Sequence, residues 1–235
     1  MLTRLPLGPS GEMGTGAAAF PLVGAVMGAV AALPILALAP RDALVAAALS
    51  VAALAVIGGA LHLDGLADCA DYLAAPDPSS AERARRDPRV GAAGAAAVSL
   101  VLIVQVACLA ALAGTDRWLA ASALIAGCTA SRATVATLAR WVTHRREGLG
   151  AWFAEGTSAA AAATSAAGLV VVVGVAALAG RTVLPVVAAL IAVAVGTVAL
   201  VGLARVQSGA TGDAYGAAIE LGLTAGLVTA AVVRP

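Results

Sequence analysis

Apolar residues run through this chain in long unbroken stretches, and the length of the stretches carries the first inference. A helix needs roughly 20 apolar residues to cross a bilayer. Seven windows reach that length: 17–39, 43–61, 94–114, 118–139, 157–180, 182–204 and 214–233. The window 157–180 opens on TSAAAAATSAAG, small and mildly hydrophobic, and is the weakest of them. None has the charged face that an alanine-rich helix of a soluble protein would show. The pattern predicts an all-α fold: a polytopic integral membrane bundle of about seven transmembrane helices, one domain over 1–235.

Polar residues fall in the gaps, and they alternate sides. Short links at 40–42, 115–117 and around Arg181 suit antiparallel hairpins. The N-terminal segment and the longer stretches 62–93, 140–156 and 205–213 share the other side. That side holds nine arginines against four, with Arg132 inside a span. The excess of basic residues predicts that the N-terminus and long loops are cytoplasmic, in a cytoplasmic (inner) membrane. Eleven of the 13 acidic residues lie on or near the same face. Carboxylates contribute little to orientation, so their gathering there points to a polar site.

Composition narrows the classes further. The chain is 61% hydrophobic and 11% charged, against about 25% charged in soluble domains. A net charge of +1 excludes a nucleic-acid binder driven by bulk charge. Cys69, Cys108 and Cys128 form no CxxC pair, which argues against a disulfide or zinc framework. MLTRLPLGPSGEMG lacks the apolar core of a signal peptide, so no cleavage is expected.

The stretch HLDGLADCAD (62–71) carries the densest chemistry. On a helix, Asp64, Asp68 and Asp71 fall at 0°, about 40° and about −20°, one face over two turns. Carboxylates so placed repel unless a cation offsets them. Mg²⁺ takes carboxylate oxygens and leaves room for substrate phosphate, so all three aspartates are candidate metal ligands; a solvated helix end would show the same spacing. His62 could ligate, donate a hydrogen bond or mark the interface. In ERARRDPRVGAAG, Arg89 stands at the mouth of the next span, where its fork could grip phosphate. Arg83, Arg85 and Arg86 read better as a positive-inside anchor. Arg132 within a span should face the bundle interior and pair with an acid or a phosphate, and Glu220, two turns into the last span, invites the same reading. Asp213 is either a helix N-cap or a fourth acidic group of the site.

Six stretches, in order along nearly the whole chain, resemble one family. They are TRLPL (3–7), FPLVGAVMG (20–28), GALHLDGLADCAD (59–71), RDPRVGAAG (86–94), REGLGAWF (146–153) and TGDAYGAAIE (211–220). The resemblance is to cobalamin synthase, the adenosylcobinamide-GDP ribazoletransferases. Cys69 stands where that family usually has threonine, Tyr72 where it has glycine and Pro88 where it has serine; QSGATGD replaces a more glycine-rich lead-in. No acidic position is lost.

The resemblance implies a membrane enzyme of the last step of coenzyme B12 assembly. It would transfer the adenosylcobinamide-phosphate group from adenosylcobinamide-GDP to α-ribazole, or its 5′-phosphate, with release of GMP. Mg²⁺ is the implied cofactor, held by Asp64, Asp68 and Asp71. Asp64, Asp68 or His62 would accept the hydroxyl proton, with Arg89, Arg132, Asp213 and Glu220 on the substrates. A homo-oligomer is compatible with the sequence. Two rival readings are a CDP-alcohol phosphotransferase, whose DG…AR…G…D…D layout is absent here, and a transporter, which would spread its acids along a path through the midplane.

Overall fold

The computed structural model describes residues 16–146, 148–180 and 182–233. The TRLPL segment, Arg4, Glu147, Arg181 and Arg234 lie outside these residues. A 3₁₀ turn at Ala17–Ala19 leads into α1 (Phe20–Leu38), followed by α2 (Ala43–Gly58), α3 (Leu61–Ala74) and α4 (Pro78–Ala84). Then come α5 (Ala92–Thr115), α6 (Arg117–Leu138), α7 (Leu149–Gly156), α8 (Ala159–Gly180), α9 (Leu184–Val206) and α10 (Gly212–Val233). No named strand occurs among the described residues; one isolated bridge joins His144 to Ala210.

Six helices are long and apolar enough to cross a membrane: α1 with its 3₁₀ turn, α5, α6, α8, α9 and α10. The weakest window, 157–180, is one of them. The window 43–61 differs from expectation. Its helix α2 ends at Gly58, and α3 leaves at 89° to it, so a seventh span exists only if this bent pair counts as one. The 16 residues of α2 rise about 24 Å, short of a hydrocarbon core of roughly 30 Å.

The bend has a local cause. Gly59 and Ala60 both take left-handed backbone, at φ 61° and 58°. The Gly59 amide donates to Val56 O at 3.1 Å and the Ala60 amide to Ala55 O at 2.8 Å. That pair of bonds is a Schellman ending, whose left-handed position suits glycine. The Ala60 carbonyl then accepts from the Asp64 amide at 2.9 Å, so the next helix starts at once in its new direction.

The centre of the bundle belongs to α6, buried along almost its whole length. It is also the least apolar of the six spans, because its sequence is rich in Ala, Ser, Gly, Cys and Thr. Small residues let backbones approach in a medium where burial from water gives no driving force. On α1, the spacing Gly24-x-x-x-Gly28 seats that helix on the backbone of α6 at Ile125, Cys128 and Thr129. Gly222-x-x-x-Gly226 of α10 does the same against the Ala192 and Ala188 carbonyls of α9. Large apolar side chains such as Leu22, Leu33, Ile103, Leu178 and Val198 point outward, as a lipid-facing surface requires.

The three long polar stretches converge at one end of the bundle. Tyr72 Oη donates to Val206 O at 3.3 Å, and Arg145 Nε donates to Gln207 O at 3.0 Å. Glu82 of α4 holds Arg85 at 2.6 Å and Arg145 at 3.2 Å.

Candidate active site

The DGLAD stretch is helical, as its spacing predicts. Two glycines bring it against the start of α10. A Cβ on Gly65 would lie 2.7 Å from Asp213 O and 2.9 Å from Asp213 Cα; one on Gly216 would lie 3.1 Å from His62 Cα. The two backbones therefore touch, and Asp64 and Asp213 come together from segments 149 residues apart, the difference of their numbers. The Thr211 hydroxyl accepts the Ala214 amide at 3.1 Å and so serves as the cap of α10. Asp213, in the first turn, is the acidic group and not the cap.

Asp71 takes a different task from its neighbours. One of its oxygens accepts the Gly91 amide at 2.7 Å and the other the Gly94 amide at 2.9 Å. It thereby satisfies two of the orphan amides at the start of α5. Both glycines are needed there, since a Cβ on either would lie 2.5 Å from an Asp71 oxygen. This contact locks the HLDGLADCAD and RDPRVGAAG stretches together.

The acids near Asp64 crowd one another. Burial, then the charges of Asp213, Asp64 and Asp71, push the Asp68 carboxyl up to about 6. Among the described residues, no three His, Cys, Asp or Glu side chains stand at metal-holding distance. Asp64, Asp68 and Asp213 are all hard oxygen donors with excess negative charge. Such a set fits a cation that takes one or two carboxylates and fills its shell from water and substrate phosphate.

Below the acids lies a buried polar layer. Gln105 Nε2 of α5 donates to Glu220 Oε2 and to Thr224 Oγ1, both at 3.0 Å. His62 Nδ1 is 3.8 Å from Glu220 Oε1. Arg132 does face the interior, 2% exposed, with Nη1 donating to Cys128 O at 3.2 Å and Nε without a partner. A cavity of about 20 Å³ among His62, Gln105, Arg132 and Glu220 has room for one water.

Above, the guanidinium groups sort unexpectedly. Arg89 is bound in forked fashion by Asp87, at 2.9 and 2.8 Å, and its side chain is 85% exposed. Arg85 is half-buried on Glu82, within the field of Asp213 and Tyr72. The arginine near the acids is thus one that the sequence alone assigns to anchoring.

The aromatic side was not visible in the sequence. Phe20 stacks on Phe153 at 4.9 Å, and Phe153 meets Tyr215 edge-on at 5.8 Å. His144 Nε2 hydrogen-bonds Tyr215 Oη. Gly150 lets α7 rest on Thr211 and Gly212, where a Cβ would lie 3.0 Å from Thr211 C. A cleft of about 420 Å³ opens between these rings and the acids.

Five of the six sequence stretches thus fold to one end of the bundle or onto its central helix; TRLPL lies outside the described residues. Over residues 1–231 the chain matches the family described as cobalamin-5-phosphate synthase. The chain belongs to that family. It is similar to the adenosylcobinamide-GDP ribazoletransferase of Escherichia coli O17:K52:H18 (strain UMN026 / ExPEC), 35% identical over 94% of this chain and 92% of the relative. Proteins of the same name from Escherichia coli (strain K12 / DH10B) and Shigella boydii serotype 18 are 34% identical over the same shares. No solved structure matches. Membership in the cobalamin-5-phosphate synthase family sets aside the CDP-alcohol phosphotransferase and transporter readings.

Proposed function

We propose that this protein transfers the adenosylcobinamide-phosphate group of adenosylcobinamide-GDP to α-ribazole or its 5′-phosphate, releasing GMP. The observation that carries this beyond family membership is the meeting of Asp64 and Asp68 on α3 with Asp213 on α10 at the rim of a cleft. A hydroxyl of the acceptor ribose attacks the phosphorus that carries cobinamide. The bond from that phosphorus to the oxygen of GMP breaks, and GMP leaves with the electron pair. Such transfers depend on positioning and charge neutralisation.

The chain's residues divide those tasks. Asp68, held near 6 by its surroundings, suits a proton acceptor at neutral pH; Asp64 and His62 are the alternatives within reach of the cleft. Arg85, with Arg145 on the same glutamate, faces the acids from the loop side and supplies positive charge for the diphosphate. Glu220, held by Gln105, stands beneath His62. Asp71 fixes α3 against α5. Mg²⁺, when bound by Asp64, Asp68 or Asp213, would supply Lewis-acid stabilisation of the phosphate charge.

Purified protein given both substrates and Mg²⁺ should release GMP in step with product, and stop when EDTA removes the metal. Full turnover of metal-free protein in EDTA would rule out the cation. The rate should also depend on pH with a known sign. A raised carboxyl pKa keeps the proton on at higher pH, so Asp68 is neutral below about 6 and charged above. That point holds without metal, and a cation on the cluster lowers it, so the rate should climb with pH at or below about 6 and level off; a rate that falls as pH rises from ~5 to ~7 would remove Asp68 as the proton acceptor.

The site is proposed to face the cytoplasm, where nucleotide substrates are, following the nine-to-four arginine bias. In a cysteine-free background, single cysteines at Pro76 and Arg146 should escape an impermeant thiol reagent in intact cells. One at Val233 should react if α2 and α3 together return the chain across the membrane. Labelling at 76 from outside would reverse the arrangement.

A further inference from the structure

We infer that the cleft between α1, α3, α6, α7 and α10 seats the flat apolar base of the riboside acceptor, with the ribose turned toward Asp64 and Asp213. This rests on the transferase reading above and adds which substrate the cleft takes and which residues select it.

The lining is of two kinds. Phe20, Val135, Phe153 and Ile219 supply apolar surface, with the two Phe rings stacked together, and His62, Asp64 and Asp213 supply the polar part, brought together where α3 meets α10. The ligand that fits has an apolar planar part and a hydroxylated part. A riboside of an azole base has that division, and it places a ribose hydroxyl beside Asp64, one of the candidate proton acceptors. The Phe20–Phe153 stack and the edge-on Tyr215 form a fixed aromatic wall, the surface on which a planar ring stacks well.

The other two candidates fit poorly. A corrin ring with its side chains is far larger than about 420 Å³. A guanine would press its O6 and N7 acceptors against Phe, Val and Ile. The Tyr215 hydroxyl is already engaged by His144, which leaves His62 as the donor side chain in the lining. Buried acceptors without donors weaken binding. The donor substrate therefore belongs on the loop side of the acids, near Arg85 and Arg145. The acceptor hydroxyl and the leaving GMP then lie on opposite sides of the reacting phosphorus, as in-line displacement requires.

The test separates the two substrates. Phe153→Leu removes the stacking wall and Val135→Phe fills the cleft. Each should raise the acceptor KM by ~10-fold or more and leave the donor KM within about twofold. Val135→Phe should penalise a riboside with a two-ring base more than one with a single-ring base. A rise confined to the donor KM overturns the assignment. Should the variants fail to accumulate, inhibition of the wild-type enzyme by the free base decides: competition with the acceptor supports the cleft, and competition with the donor or no inhibition refutes it. Should the wild type release no GMP, the transferase reading fails by itself. Equilibrium dialysis of the riboside against wild type and Phe153→Leu then still reads the cleft, because equal binding by both would overturn it.

Discussion

Asp64→Asn is expected to lower GMP release by at least ~10²-fold, about 2.7 kcal/mol of transition-state stabilisation, with normal insertion into the membrane. Asp64 is exposed at the rim of the cleft and touches the field of Asp213. The amide keeps the shape and removes the charge, so repulsion within the acidic cluster falls and the fold has no reason to weaken. Asp68→Asn should lose as much, because the amide can neither take a proton nor neutralise a cation. Asp71→Asn should differ in kind. Its amide can offer only one oxygen to the Gly91 and Gly94 amides, so α5 loses part of its cap. Such losses cost ~0.5–2 kcal/mol, and the melting temperature should fall with the activity. Wild-type rates in both Asp64→Asn and Asp68→Asn would leave the cluster without a catalytic role.

Gly65→Ala should be nearly as damaging without touching a charge. Its Cβ would lie 2.7 Å from Asp213 O and 3.2 Å from Asp213 C. These are backbone atoms of a packed helix and cannot swing aside. Relief requires α3 and α10 to separate, carrying Asp64 and Asp68 away from Asp213. Overpacking of this sort costs about 1–3 kcal/mol, and misplacing reacting groups by about 1 Å costs on the order of 10²-fold in rate. Gly202→Ala on α9 is the control, because nothing lies within 4 Å of the Cβ it would add. If Gly65→Ala turned over at the wild-type rate, the close approach of the two helices would not matter to the chemistry.

The sequence made the spans legible because lipid tolerates little else: apolar length alone marks them. It made the motif helix legible because the four-then-three spacing of Asp64, Asp68 and Asp71 suits only a helical face. It did not reveal the 89° turn before that helix. Gly58-Gly59 permits a bend, but its size depends on two successive left-handed residues, one of them Ala60. Nor did it reveal what Asp71 holds, since the amides of Gly91 and Gly94 lie across the α4 loop. Arg85 and Arg89 look alike in a run of arginines; Glu82 turns one toward the acids, and Asp87 keeps the other at the surface. Gln105 is a lone amide side chain inside an otherwise apolar run, the mark of an interior-facing position.

The buried polar layer also bears on how the chain enters the membrane. Gln105, Arg132 and Glu220 sit on α5, α6 and α10, three different spans. Alone in lipid, an arginine at mid-helix costs about 2.5–3.5 kcal/mol on insertion scales. The Cys128 carbonyl of the same helix takes one N–H of Arg132, while the opposing charge comes from Glu220; α6 leaves the translocon with the first and without the second. Gln105 arrives with it in the same hairpin, but Glu220 is made 88 residues later, from the residue numbers, on the order of ten seconds at ~5–20 residues per second. For that interval the half-made bundle holds Arg132 without the field of Glu220. The arrival of α10 then completes both the charge layer and the acidic rim in one event, so a chain cut short before Glu220 would be unstable as well as inactive.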